Sequence, residues 1–231
     1  MTRPDFAVTD VHALRNRDLR FLIENFPEPG RSYTEIAELF DRIPTTVESM
    51  LDSEFVLRSI LDSRELLLDV SPFLFFNVLL RRVLGSGRAP LDRRVIHYLA
   101  NLLSLFVRAD RLHRIAPHER EHYVYLVEMI AAAADADARR RFLLYSHIGN
   151  YSLYLTGLFP QWIEHRHRYR RRPVDMDYYV EFGRAYFERA SGHPLAREYR
   201  LDEVFLRLAL LFDHYQRALN ELSRRYLQAA A

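Results

Sequence analysis

Apolar positions along the chain recur three and four residues apart, and no segment shows a convincing two-residue alternation. That spacing lines up side chains on one face of a helix, so the pattern predicts an all-α protein, a multi-helix bundle of about eight or nine helices. A first helix is expected from Asp10 to Phe26, stopped by Pro27. Ser32 with Glu35 makes a capping-box start for a second, and a third runs from Thr45 toward Leu61. Ser71-Pro72 opens the next, with serine as cap and proline in the first turn, and Gly85-Ser86-Gly87 closes it. Arg93 to Val107 is amphipathic through Val95, Ile96, Leu99, Leu102, Leu103 and Phe106. Pro117 is expected to open a helix reaching the alanines Ala131 to Ala134, and Asp135 or Asp137 to cap the following one. Pro160 and Pro173 bracket a short helix, Asp175 opens another over Tyr178 to Ala190, and the last runs from Asp202 to about Leu227.

That last helix carries the clearest stripe, Leu201, Phe205, Leu208, Phe212, Tyr215, Leu219, Leu222 and Tyr226, which fits a heptad. The stripe serves either as a core face of its own domain, the commoner use, or as the seam of a homodimer through residues 201–227. The length suits a single helical domain over 1–231 or two closely packed subdomains divided near 85–90.

Charge interrupts this pattern at one place. Phe142 to Ile163 carries no formal charge in a chain that is 28% charged, and arginines stand at both its ends. His147, Asn150, Gln161, Ser146, Ser152 and Thr156 fall inside it, too many polar groups for a membrane span. The stretch is therefore expected to be a central buried helix. Leu144, Ile148, Tyr151, Leu155 and Leu158 form one stripe of it, and His147, Asn150 and Tyr154 the adjacent one. Buried polar groups need partners, so this second stripe is either a packing network or the polar floor of a small-ligand or enzyme pocket. Gly149 and Gly157 suit close helix approach under both readings.

Cysteine is absent, which excludes disulfides, thiolate chemistry and cysteine metal sites. Met1 to Val8 shows no secretory signal, so a cytoplasmic protein is expected. Lysine is also absent: every one of the 33 basic side chains is an arginine, a planar fork suited to carboxylates, phosphates and aromatic faces. With a net charge of only +2, binding to an anion must come from local clustering.

Four local patterns suggest chemistry. His118-Glu119-Arg120-Glu121-His122 has the spacing of a helical zinc site, with His118, Glu119 and His122 as candidate ligands, although its charged interior and the preceding proline favour a solvated first turn. Glu119 with His122 and Glu164 with His167 repeat the pair spacing of di-iron bundles, without the acidic residues such a site needs on the helix between them. No cofactor is called for. Glu35-Ile36-Ala37, Pro44 and Thr46-Val47 within residues 32–53 resemble the helix-turn-helix of sigma-factor region four, and the resemblance implies a DNA-binding regulator that reads through the second helix. That helix carries Glu48, Asp52 and Glu54 where such helices carry basic residues. The fourth pattern is the run from Trp162 to Arg172, in which Arg166, Arg168, Arg170, Arg171 and Arg172 interleave with Trp162 and Tyr169. Arginine beside aromatic rings pairs with anionic groups and stacks on flat ones. The sequence thus points to a non-enzymatic binding protein using this surface on an anionic macromolecule: RNA, DNA or an acidic protein.

Overall fold

The computed structural model describes residues 3–26, 44–63, 70–87, 89–170 and 174–227, the side chains of 44, 45 and 168–170 excepted. Among these residues there are thirteen α-helices and no strand. The chain divides into two compact units, one over Val8–Ser104 and the other from Leu105 onward together with the residues up to Ala7. Gly85–Gly87 lies inside the first unit.

The first unit holds α1 (Asn16–Glu24), α2 (Pro44–Leu51), α3 (Glu54–Asp62), α4 (Pro72–Leu84) and nearly all of α5 (Pro90–Phe106). Two helices expected from sequence are shorter than predicted. Between Asp10 and α1 there is only a 3₁₀ turn, Val11–Ala13, because the Asp10 carboxylate accepts from the His12 amide. The Asp18 carboxylate then accepts from Arg15 N at 2.8 Å and from Ser71 N at 2.6 Å, fixing the start of α1. The helix expected from Thr45 to Leu61 is two helices, broken at Asp52-Ser53, where Asp52 turns toward Arg81 at 2.9 Å. Ser71 caps α4 as expected, accepting from Leu74 N.

The second unit holds α6 (Ala109–Leu112), α7 (Leu126–Asp135), α8 (Ala138–Leu158), α9 (Pro160–Arg170), α10 (Met176–Ser191), α11 (Pro194–Glu198), α12 (Asp202–Leu210) and α13 (Phe212–Leu222), which runs on into a π-helical turn, Ser223–Leu227. The charge-free stretch, expected as one buried helix, is divided at the exposed Phe159: Phe142 to Leu158 lies in α8, and its last residues, 160–163, open α9. Asp137 caps α8, accepting from Arg140 N at 2.8 Å, and every residue from Ser146 to Leu158 is buried. It packs chiefly on α10, then on α13 and α7. Gly149 and Gly157 allow this: a Cβ on Gly149 would stand 2.7 Å from the Phe187 ring, and one on Gly157 2.7 Å from Leu219.

The last predicted helix is also broken, at Leu211, into α12 and α13. Its stripe is spent inside the unit: Leu201, Phe205, Leu208, Phe212, Leu219 and Leu222 are fully buried and Tyr215 nearly so. This is the core face, so these side chains are not available as a dimer seam. The N-terminal residues belong to the same core. Phe6 is buried with its ring 6.1 Å from that of Phe142, and Asp5 accepts from Arg111 at 2.6 Å.

Candidate functional site

Pro117 does not open a helix. Residues 113–125 form an irregular loop, and α7 begins only at Leu126. The loop is tied at its base: Tyr123 N donates to the His113 carbonyl at 2.8 Å, and His113 Nδ1 donates back to the Tyr123 carbonyl at 3.0 Å. Arg140 pins its outer part through Glu119 at 3.1 Å, Glu121 at 2.8 Å and the Tyr123 hydroxyl at 3.0 Å. The helical spacing that would bring His118, Glu119 and His122 to one metal is therefore not formed, and Glu119 is engaged by Arg140. His122 packs at a tilt against His113, ring centres 4.7 Å apart. Among the described residues no group of three or more His, Asp or Glu could hold a metal ion.

In the buried polar stripe of α8, His147 finds its partner within the protein. His147 Nε2 donates to the Leu112 carbonyl at 3.0 Å, and its ring lies edge-on to Phe106 and parallel to Tyr151. Burial lowers the His147 pKa to about 4, against the opposing pull of the Leu112 carbonyl, so the ring stays neutral at ordinary pH. Tyr154 packs on Phe106 and Phe159, and burial raises its pKa. Asn150 is buried beside them.

In the first unit a second polar cluster joins α2, α4 and α5. Arg81, whose side chain is almost wholly buried, donates Nε to Asn77 Oδ1 at 2.9 Å, one Nη to Asp52 at 2.9 Å and the other to Glu48. Asn77 Oδ1 is thus an acceptor, so its Nδ2 donates to His97 Nδ1 at 2.8 Å. His97 Nε2 must then carry the hydrogen that it gives to Glu48 at 2.9 Å. The ring closes on itself. Burial pushes the Glu48 carboxyl up, but His97 and Arg81 together outweigh it and hold it at about 2. In the stretch resembling a helix-turn-helix, residues 32–43 lie outside the described residues. Its second helix, α2, turns Glu48 toward Arg81, as does Asp52 just past its end, and α2 carries no basic side chain for a phosphate backbone.

The arginine-rich run forms α9, and its described residues border a groove of about 90 Å³. Val124 to Val127, from the loop end and the first turn of α7, make one wall. Trp162, Ile163 and Arg166 of α9 make another, and Val174, Tyr178 and Tyr179 close it from the start of α10. Each wall is placed by local chemistry. Glu128 accepts from the amides of Val124 and Tyr125, Pro160 starts α9, and Asp175 caps α10 by accepting from Tyr178 N. Val124, Tyr125, Val127 and Trp162 are exposed, Trp162 by 40% and Val127 by 60%. The Arg166 guanidinium lies over the Trp162 ring, 4.4 Å from its centre. Tyr178 packs at a tilt against Phe182, ring centres 4.6 Å apart, and Tyr179 stands 6.5 Å from Tyr151. Burial raises the pKa of both Tyr178 and Tyr151, so these phenols remain uncharged. Among the described residues lining the groove, Arg166 is the single formal charge.

Sequence reasoning found Trp162 and Arg166 but not the walls they face. The side chains of Arg168, Tyr169 and Arg170 and the whole of Arg171 and Arg172 lie outside the described residues. Two arginines of the first turn of α8 have other employment: Arg141 donates to the carbonyls of Ala133 and Ala136, and Arg140 holds the loop. Among the described residues no helix is long and apolar enough to cross a membrane. The chain matches no family model, no curated protein and no solved structure.

Proposed function

We propose that this is a non-enzymatic binding protein whose groove takes a segment of a protein partner, an apolar side chain flanked by a carboxylate. The observation that carries the reading is Arg166 stacked on exposed Trp162 at the edge of an otherwise apolar and aromatic groove. Tryptophan, tyrosine and arginine are the residues over-represented where binding energy concentrates in protein interfaces. Stacking on Trp162 orients the guanidinium fork before any partner arrives, so less freedom is lost when a carboxylate pairs with it. The groove is smaller than the roughly 150 Å³ that accepts benzene, which suits one aliphatic side chain.

The test is fluorescence anisotropy with two labelled probes, a peptide bearing Glu three residues before Leu on an alanine–glutamine host and a uridine oligomer. The peptide is expected to bind, with a shallow salt dependence set by a single ion pair. Arg166→Gln should weaken it about tenfold, the loss of one charge-assisted hydrogen bond. Binding of the uridine oligomer without the peptide would make the partner a nucleic acid and overturn the reading.

A further inference from the structure

We infer that the segment Arg3–Ala7 is an internal ligand of the second unit, and that the seat it fills is a binding site for a turn carrying a carboxylate and an aromatic ring in succession. The second unit is built from two separate stretches, the residues up to Ala7 and those from Leu105 onward, with the whole first unit between them in sequence. The first stretch is short and folds on itself. Ala7 N donates to the Pro4 carbonyl at 3.0 Å, closing a β-turn over Pro4-Asp5-Phe6-Ala7. The turn presents Asp5 and Phe6 next to each other, and Phe6 and Ala7 are buried.

The seat is held in shape by the other stretch of the unit. Phe142 is fully buried, with its ring 5.2 Å from that of His193, 6.0 Å from Tyr199 and 6.2 Å from Phe205. Phe6 adds one more ring to this cluster. Arg111 on α6 is fixed by a neighbour, Nη1 donating to the Arg114 carbonyl at 2.9 Å, and it gives Nη2 to Asp5 at 2.6 Å. Arg3 adds a longer bond, Nη2 to the Tyr199 carbonyl at 3.4 Å. A guanidinium beside an aromatic cluster thus receives a carboxylate beside a phenyl ring. The present occupant leaves the seat incompletely used. Arg111 is almost wholly buried, and its Nε has no hydrogen-bond partner among the described residues. Nε and Nη2 form one edge of the guanidinium fork, which a carboxylate takes with both oxygens. Asp5 uses one of these two donors, so a turn of the same chemistry from another molecule that engages both competes for the seat. The seat shares no residue with the groove, and the inference stands apart from the reading of the groove.

The test uses the full chain carrying Asp5→Ala with Phe6→Ala, and a labelled peptide with the sequence of Arg3 to Val8. Circular dichroism of this double variant should keep the helical signal of the wild-type chain. Fluorescence anisotropy should show the peptide saturating the variant. The wild-type chain, whose tethered segment competes at an effective concentration on the order of millimolar, should bind it at least about tenfold more weakly. A peptide with Asn in place of its Asp should also bind the variant about tenfold more weakly, the loss of a charged hydrogen bond. Adding Arg166→Gln to the double variant should leave binding unchanged. A double variant that loses its helices would make the segment part of the core rather than a ligand, and overturns the inference. So does a folded variant that the peptide does not bind, and so does binding that Arg166→Gln removes, which would place the peptide in the groove.

Discussion

Gly149 shows how a single residue sets the packing of this protein. Alanine is favoured over glycine inside a helix by about 0.5–1 kcal/mol, so helix propensity alone would make Gly149→Ala stabilising. A Cβ there would stand 2.7 Å from the fully buried Phe187 ring, which has no space to retreat into. We expect Gly149→Ala to cost about 1–3 kcal/mol, read from the midpoint of urea unfolding. An unchanged midpoint would show that α8 and α10 can separate without loss. The role of Gly149 was legible in sequence as a small residue on a charge-free helix, and so were Trp162 and Arg166 as an aromatic–arginine pair. Val124, Val127, Tyr178 and Tyr179 were not, because their approach to Trp162 crosses a loop and a helix boundary and leaves no local periodicity.

At the scale of elements, apolar spacing located most helices and missed the breaks. Asp52-Ser53, Leu211 and the loop over 113–125 interrupt segments whose spacing reads as continuous. In the first and last of these, side chains satisfy partners distant in sequence: Asp52 turns to Arg81, and Arg140 gathers Glu119, Glu121 and Tyr123. The polar clusters make acid stability a property of each unit. His147 has a depressed pKa in the folded state, about 4 against 6.5, so the unfolded chain binds the proton more readily. Its contribution is whole above pH 6.5 and is lost as pH falls toward about 4. Glu48 is depressed from 4.5 to about 2, and its contribution is lost below His147's, from about pH 4.5 downward. Urea unfolding followed from pH 7 to pH 3 should therefore show stability falling first through the His147 window. Glu48→Gln should flatten the profile only below about pH 4.5. A wild-type profile level between pH 6.5 and 4 would contradict the burial assigned to His147.

For the whole molecule, sequence gave the class correctly and the count too low: the described residues hold thirteen α-helices where about eight or nine were expected. Two subdomains were one of the readings, with a boundary near 85–90; that the boundary follows Ser104 and that the first residues belong to the second unit was not legible, because the latter depends on Phe6 and Asp5 meeting Phe142 and Arg111 more than a hundred positions away. The part of the charge-free stretch from Ser146 to Leu158 is buried in the core of that second unit, and the groove lies where its end, Trp162 and Ile163, meets α7 and α10. Trp162 is the chain's only tryptophan, so its emission reports on the groove without a label. Titration with the acidic, leucine-bearing peptide should shift that emission to the blue and saturate, and the shift should be lost in Val127→Asp. An emission spectrum that stays unchanged while anisotropy shows the peptide bound would place binding elsewhere and contradict the central claim.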